Sequence, residues 1–70
     1  MDFSNALRAM KEGKKVRRHS WGGHLAMQVP DENSKMNRPY LYAVCVGGEV
    51  VPALINDLDM MAEDWELVAE

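Results

Sequence analysis

Apolar residues at Phe3, Ala6, Leu7 and Met10 fall three and four positions apart, the spacing of one stripe along an α-helix. Arg8, Lys11 and Glu12 sit off that stripe, toward solvent. Asp2 is placed to cap the start, and Gly13 follows the last periodic residue with Lys11 and Lys14 beside it. The spacing predicts a helix over residues 3–12. The period then shortens to two. In Lys15-Val16-Arg17-Arg18 alternation puts Val16 and Arg18 on one face, Lys15 and Arg17 on the other. Trp21-Gly22-Gly23 reads as a turn whose glycines permit positive φ or the close approach of another group. His24 to Val29 is a second strand ended by Pro30, and the polar residues 30–38 form a loop.

Tyr40 to Val46 carries the strongest strand pattern, rich in β-branched and aromatic residues. Leu41, Ala43 and Cys45 face one way and Tyr40, Tyr42, Val44 and Val46 the other, so both faces call for cover. Gly47-Gly48 predicts a two-residue hairpin turn of the primed type. Glu49 to Val51 returns, with Pro52 ending it or marking an edge. Asn56 or Asp57 caps about one helical turn through Met60, Met61 and Ala62. Trp65 to Val68 closes the sheet, Trp65 pointing to the core in alternation with Leu67. The expected fold is α+β: a small, mostly antiparallel sheet of about five short strands, one N-terminal helix packed on it, and a short helical turn before the last strand. Residues 1–70 are expected to form a single domain.

Composition adds a need for partners. A 70-residue chain buries only about 60% of its unfolded surface, and small domains usually rely on a disulfide, a metal or other chains. Cys45 is the one cysteine, so no intrachain disulfide forms, and His19 and His24 have no companion ligands at zinc-like spacing. Apolar content is 47% with six Met. That excess points to a homo-oligomer, with Met60-Met61 filling core or interface. The net charge of −3 argues against general nucleic-acid binding. Bases gather in residues 8–19 and acids in 57–70, so folding should appose the two ends. With no signal peptide and no apolar run of 18 residues, a cytoplasmic protein off the membrane is expected.

The case for catalysis is weak. Cys45 lies in an apolar run without a neighbouring base and is expected to be a buried structural thiol. Asp57, Asp59, Glu63 and Asp64 read most simply as a cap and an acidic turn. The glycine pairs match no phosphate-binding loop. No enzyme activity, metal or cofactor is implied.

Two blocks carry a resemblance. Asn5-Ala6-Leu7, Met10 through Val16, Arg18, Ser20 and Trp21-Gly22 form the first; Asp59-Met60-Met61-Ala62-Glu63-Asp64-Trp65-Glu66 forms the second. In this order they resemble the two ends of the phage Thoeris anti-defense sponge family of the second type, formerly a phage domain of unknown function. The resemblance implies a small helix-plus-sheet fold, a homotetramer and ligand pockets between protomers. It also implies that the protein sequesters, without cleaving it, a nucleotide immune signal made by TIR-domain enzymes in the host bacterial cytoplasm, a cyclic ADP-ribose isomer or another ADP-ribose derivative. The middle is shorter than the family's, with Asn37-Arg38-Pro39, Pro52-Ala53 and Asn56-Asp57-Leu58 where other residues are usual.

For such a ligand, Trp21 is a stacking surface for the base or else a hydrophobic anchor. Arg18 suits phosphate or else an ion pair with the C-terminal acids. His24 is a further phosphate candidate, with Arg17 and His19 behind it. Asn56, Asp57 and Asp59 offer acceptors to ribose hydroxyls or else cap the short helix. Tyr42, like Tyr40, lines a pocket or an interface. Two other functions stay open: a protein-binding module inhibiting a host protein, and a sponge for cyclic dinucleotides.

Overall fold

A computed structural model describes residues 1–69. Its elements are α1 (Phe3–Lys11), β1 (Val16–Arg18), β2 (His24–Gln28), β3 (Tyr40–Val44), β4 (Val50–Pro52), α2 (Asp57–Met61) and β5 (Trp65–Leu67). The strands form one open sheet in the order β4-β3-β2-β1-β5, each neighbouring pair antiparallel. The α+β expectation is the observed architecture.

α1 starts and stops where its sequence dictates. The Asp2 carboxylate accepts from the Asn5 amide at 2.9 Å, and Gly13 adopts φ +90° beyond the C-cap. There the Gly13 amide donates to the Met10 carbonyl and the Lys14 amide to the Ala9 carbonyl, both at 3.0 Å, satisfying two carbonyls the helix leaves open. The helix lies over β5, β2 and β1. It buries Ala6, Ala9 and Met10 against Val16, Leu25 and Trp65, so the apolar stripe includes Ala9 as well as the positions read from spacing. Phe3 and Trp21 close on the Trp65 ring with centroids at 5.4 and 5.2 Å. β5 sits beside β1 because the segment after β4 recrosses the helix side of the sheet; its Ala53 and Ile55 pack on the core.

Two expectations about the central hairpin are corrected. The turn after β3 has three residues, not two. The Cys45 amide donates to the Glu49 carbonyl at 2.8 Å and the Gly48 amide to the Cys45 carbonyl at 2.9 Å, with Gly48 at φ +91° and Gly47 outside the left-handed region. This is the arrangement in which a glycine bulge closes a longer hairpin loop. β3 therefore ends at Val44, and Cys45 is exposed rather than a buried mid-strand thiol. Met61, expected to fill core or interface, is 82% exposed and so does not fill the core.

The glycines of the Trp21 turn serve close approach. A Cβ on Gly23 would run into the Val44 carbonyl, and one on Gly22 would meet Val46 Cγ2. Neither has positive φ. They let the β1–β2 connection lie directly against the end of β3.

Candidate functional site

Register decides which residues share a surface. Val16 pairs with Leu25 and Leu67, and Leu25 with Ala43, all on the helix side. Alternation then turns Lys15, Arg17, His24, Ala26, Gln28, Tyr40, Tyr42 and Val44 to the opposite face. No described helix lies on that face. Across it run two rows of neighbours: Glu66, Arg17, His24, Val44 and Val50, and beside them Val68, Lys15, Ala26, Tyr42 and Pro52.

The candidate ligand residues fall into three regions. Arg18, Asn56 and Asp59 form one network where β1 meets β5 and α2. Arg18 Nη1 donates to Asp59 at 2.9 Å, and its Nε and Nη2 reach the two Asp64 oxygens at 2.9 and 3.4 Å. The hydrogen bonds Arg18 donates to Asp64 and then to Asp59 raise its pKa, and the guanidinium holds the Asp64 carboxyl below its ordinary value. Asn56 caps α2 by accepting from the Asp59 amide at 2.9 Å, and the Asp59 side chain closes the box on the Asn56 amide. Asp59 is 8% exposed, and its carbonyl accepts from Trp65 Nε1 at 2.9 Å. Of the polar alternatives, ion pairing and capping are both present. Asp57, one residue into α2, is exposed.

Trp21 lies in the second region, half-buried edge-on against Trp65. With Gly22, Gly23 and Leu54 it borders a shallow hollow of about 450 Å³ at the end of the sheet, which the His24 segment also lines.

The third region is the uncovered face. Tyr42, Tyr40, Gln28 and Pro52, with Met36 from the preceding loop, border a hollow of about 700 Å³. That volume lies within the usual range for small-molecule sites. His24 sits beside it in the strand ladder, half-buried, and burial together with the nearby Lys15 ammonium lowers its pKa. Its ring is therefore neutral at pH 7, able to donate from one nitrogen and accept at the other. Below it, the His19 ring at 3.3 Å and the Arg17 guanidinium at 2.8 Å hold Glu66 below the usual carboxylate range.

Sequence reading singled out neither Gln28 nor Lys15 as a site residue, although both belong to this face. The signal was the alternation itself: once Val16 and Leu25 are core, Lys15 and Gln28 stand on the side with His24 and Tyr42. No group of three or more described His, Cys, Asp or Glu residues is arranged to hold a metal ion. No described helix is long and apolar enough to cross a membrane.

A search of curated proteins gives no significant match. The family model for the Thoeris anti-defense 2-like domain matches residues 1–68, both sequence blocks and the whole sheet included. The chain belongs to the Thoeris anti-defense 2-like domain family.

Proposed function

We propose that this protein counters Thoeris immunity by binding and sequestering a nucleotide signal, an ADP-ribose derivative made by a TIR-domain enzyme, without cleaving it. Family membership supports the anti-defense role. The observation that carries the binding mode is the uncovered sheet face with its 700 Å³ hollow. Tyr42 and Tyr40 supply aromatic surface there and Gln28 a hydrogen-bonding amide, with His24 beside the hollow on the same face. Aromatic faces stack on bases, and neutral donors and acceptors suit riboses.

A sponge must hold a scarce signal, so nanomolar affinity, about −12 kcal/mol, is the relevant scale. Sites of that quality bury most of their ligand, and an open hollow on one chain does not. A second copy laid over the face encloses the ligand and covers exposed apolar surface at Tyr40 and Val50. The protein thus works as a homo-oligomer. Trp21 and Asp57 keep exposed surface for further contacts, whereas Arg18, Asn56 and Asp59 hold the scaffold on which the face depends.

The test is native mass spectrometry of the purified protein mixed with an extract from cells whose TIR enzyme is active. An oligomer carrying the mass of an intact ADP-ribose derivative, recovered unchanged on denaturation, is the expected result. An oligomer with no added mass across several such extracts refutes the sponge, and a product that accumulates with time makes the protein an enzyme.

A further inference from the structure

The cationic contact expected for the ligand's phosphates was Arg18, yet all three of its donating nitrogens are engaged by Asp59 and Asp64. Arg17 is similarly committed, through Nε to Glu66 and through Nη1 to the Trp21 carbonyl at 3.0 Å. Lys14 lies 3.6 Å from Glu12. Arg8 and Lys11 project from α1, on the far side of the sheet, and Lys35 and Arg38 belong to the loop before β3. Lys15, unlike these, stands on the sheet face itself, next to β1. It is exposed on the uncovered face, and no described carboxylate lies within the 4.0 Å of an ion pair.

Its surroundings suit an anion. The carbonyl of Lys15 is fixed by the Val68 amide at 3.0 Å, so the strand that presents the side chain is held on both sides. Extending the Val16–Leu25 register by one residue puts Ala26 across from Lys15, and Ala26 in turn pairs with Tyr42. The methyl of Ala26 makes a low floor between Lys15 and Tyr42, and at 6% exposure it is shielded by the longer side chains around it. His24 is the diagonal neighbour of Lys15, roughly 7–8 Å away by strand geometry. An ammonium, a neutral imidazole, an amide and a phenol thus ring one small residue. This pattern offers one positive charge to a phosphate and neutral partners to the sugar and base.

We infer that Lys15 is the phosphate-binding residue of the site, extending it from the Tyr42 hollow across Ala26. The inference rests on the proposed nucleotide reading. An ammonium engages phosphate as a point charge without a required fork geometry, which fits a diphosphate that bends between two riboses. The acids nearest Lys15 along the β1–β5 edge are already neutralised: Glu66 pairs with Arg17, and Asp59 and Asp64 pair with Arg18, so the ammonium stays available to an anion.

The experiment is calorimetric titration of the full chain with the purified nucleotide product of an activated TIR enzyme, at two salt concentrations. Lys15→Ala is expected to weaken binding about 10- to 100-fold, the usual range for a hydrogen bond to a charged group. The variant should also lose much of the wild-type salt dependence, since a screened charge contact is gone. Lys15→Arg should restore most of both, and Lys11→Ala, on the exposed side of α1, should change neither. Equal affinity and equal salt dependence for wild type and Lys15→Ala overturn the assignment while leaving the sponge reading intact. A wild type that does not bind overturns both. Melting curves matching wild type show that the variant is folded, as expected for an exposed side chain.

Discussion

Arg18 and Asp59 meet at 2.9 Å across a sequence separation of 41 residues, joining the first strand to the short helix that precedes the last. The Asp59 side chain also completes the cap of α2, and its carbonyl receives the Trp65 indole. One residue therefore ties together a cation, a helix start and the largest buried side chain. Asp59→Ala is expected to cost about 1–3 kcal/mol, the usual penalty when buried partners lose their hydrogen bonds. Asn56→Ala, which removes one cap bond only, should cost about 1 kcal/mol. Chemical denaturation of both variants checks the order. Equal loss would show that the Arg18 contact adds nothing.

Trp65 gives a sharper case. Its ring is 2% exposed and packs against Phe3 and Trp21. Trp65→Phe keeps an aromatic ring but removes the indole bond to the Asp59 carbonyl, which still accepts from the Ala62 amide at 3.3 Å, so a loss of about 0.5–1.5 kcal/mol is expected. Trp65→Ala adds a cavity, and such truncations cost about 3–5 kcal/mol. Small domains have only about 5 kcal/mol or so to lose. The alanine variant should be unfolded at room temperature by circular dichroism, and the phenylalanine variant folded with a lower Tm.

The Trp21 turn offers a ranking by geometry. A methyl on Gly23 collides with the backbone carbonyl of Val44, which cannot move without opening the β2–β3 ladder. A methyl on Gly22 meets only the side chain of Val46, which is 82% exposed and free to turn away. Gly48 has open space but φ +91°, where an L side chain costs about 1–2 kcal/mol. Thermal melts should place Gly23→Ala as the most damaging, Gly48→Ala next and Gly22→Ala near wild type. A Gly22 variant worse than the Gly23 variant would contradict this packing.

Local pattern made much of this fold legible. The stripe Phe3, Ala6, Leu7, Met10 coincides with a cap at Asp2 and a stop at Gly13, so three independent signals agree on α1. The Tyr40 strand was clear from β-branched and aromatic content, but its end was not. A glycine pair favours a two-residue turn, and only the bonds among Cys45, Gly48 and Glu49 show that three residues are used, which moves Cys45 out of the core. The site was less legible for a different reason. Which residues share a face follows from strand order, and β5 lying next to β1 is a long-range pairing with no local signal. That pairing brings Asp59 and Asp64 to Arg18, leaving Lys15 as the cation facing outward beside His24 and Tyr42.

Acid should weaken the fold in two stages. His24 has a lowered pKa, through burial first and Lys15 second. On acidification the unfolded chain therefore takes up that proton before the folded one, and stability falls as pH drops below about 6.5. Asp64 and Glu66 are also held below their ordinary values, the former by Arg18, the latter by His19 and Arg17. Their contribution is complete above about pH 4.5 and is lost as pH falls through the folded values. Tm measured from pH 8 to pH 3 should decline over both ranges. His24→Gln should remove the upper decline and Asp64→Asn should shrink the lower one. An unchanged upper decline in His24→Gln would assign that step to another group.

Two exposed apolar surfaces compete as the place where copies of the chain meet. One is the uncovered sheet face, with Tyr40 and Val50 at 39% and 64% exposure among Tyr42, Val44 and Pro52. The other is the outer side of the crossover, where Leu54, Leu58 and Met61 are 92%, 78% and 82% exposed. Symmetric dimers bring the same patch of each copy together. On the crossover that would oppose Asp57 and Glu63 to their own copies, and like charges at a desolvated contact are costly. The apolar part of the sheet face, around Tyr42, Val44, Val50 and Pro52, carries no charged side chain, and the charges nearer β5 include the mutually paired Arg17 and Glu66. Val50→Asp is therefore expected to shift the assembly toward monomer in light-scattering measurements at micromolar concentration. Leu58→Glu should leave the mass unchanged. The reverse result would move the interface to the crossover and leave the Tyr42 hollow open to solvent, removing the enclosure that tight nucleotide binding requires.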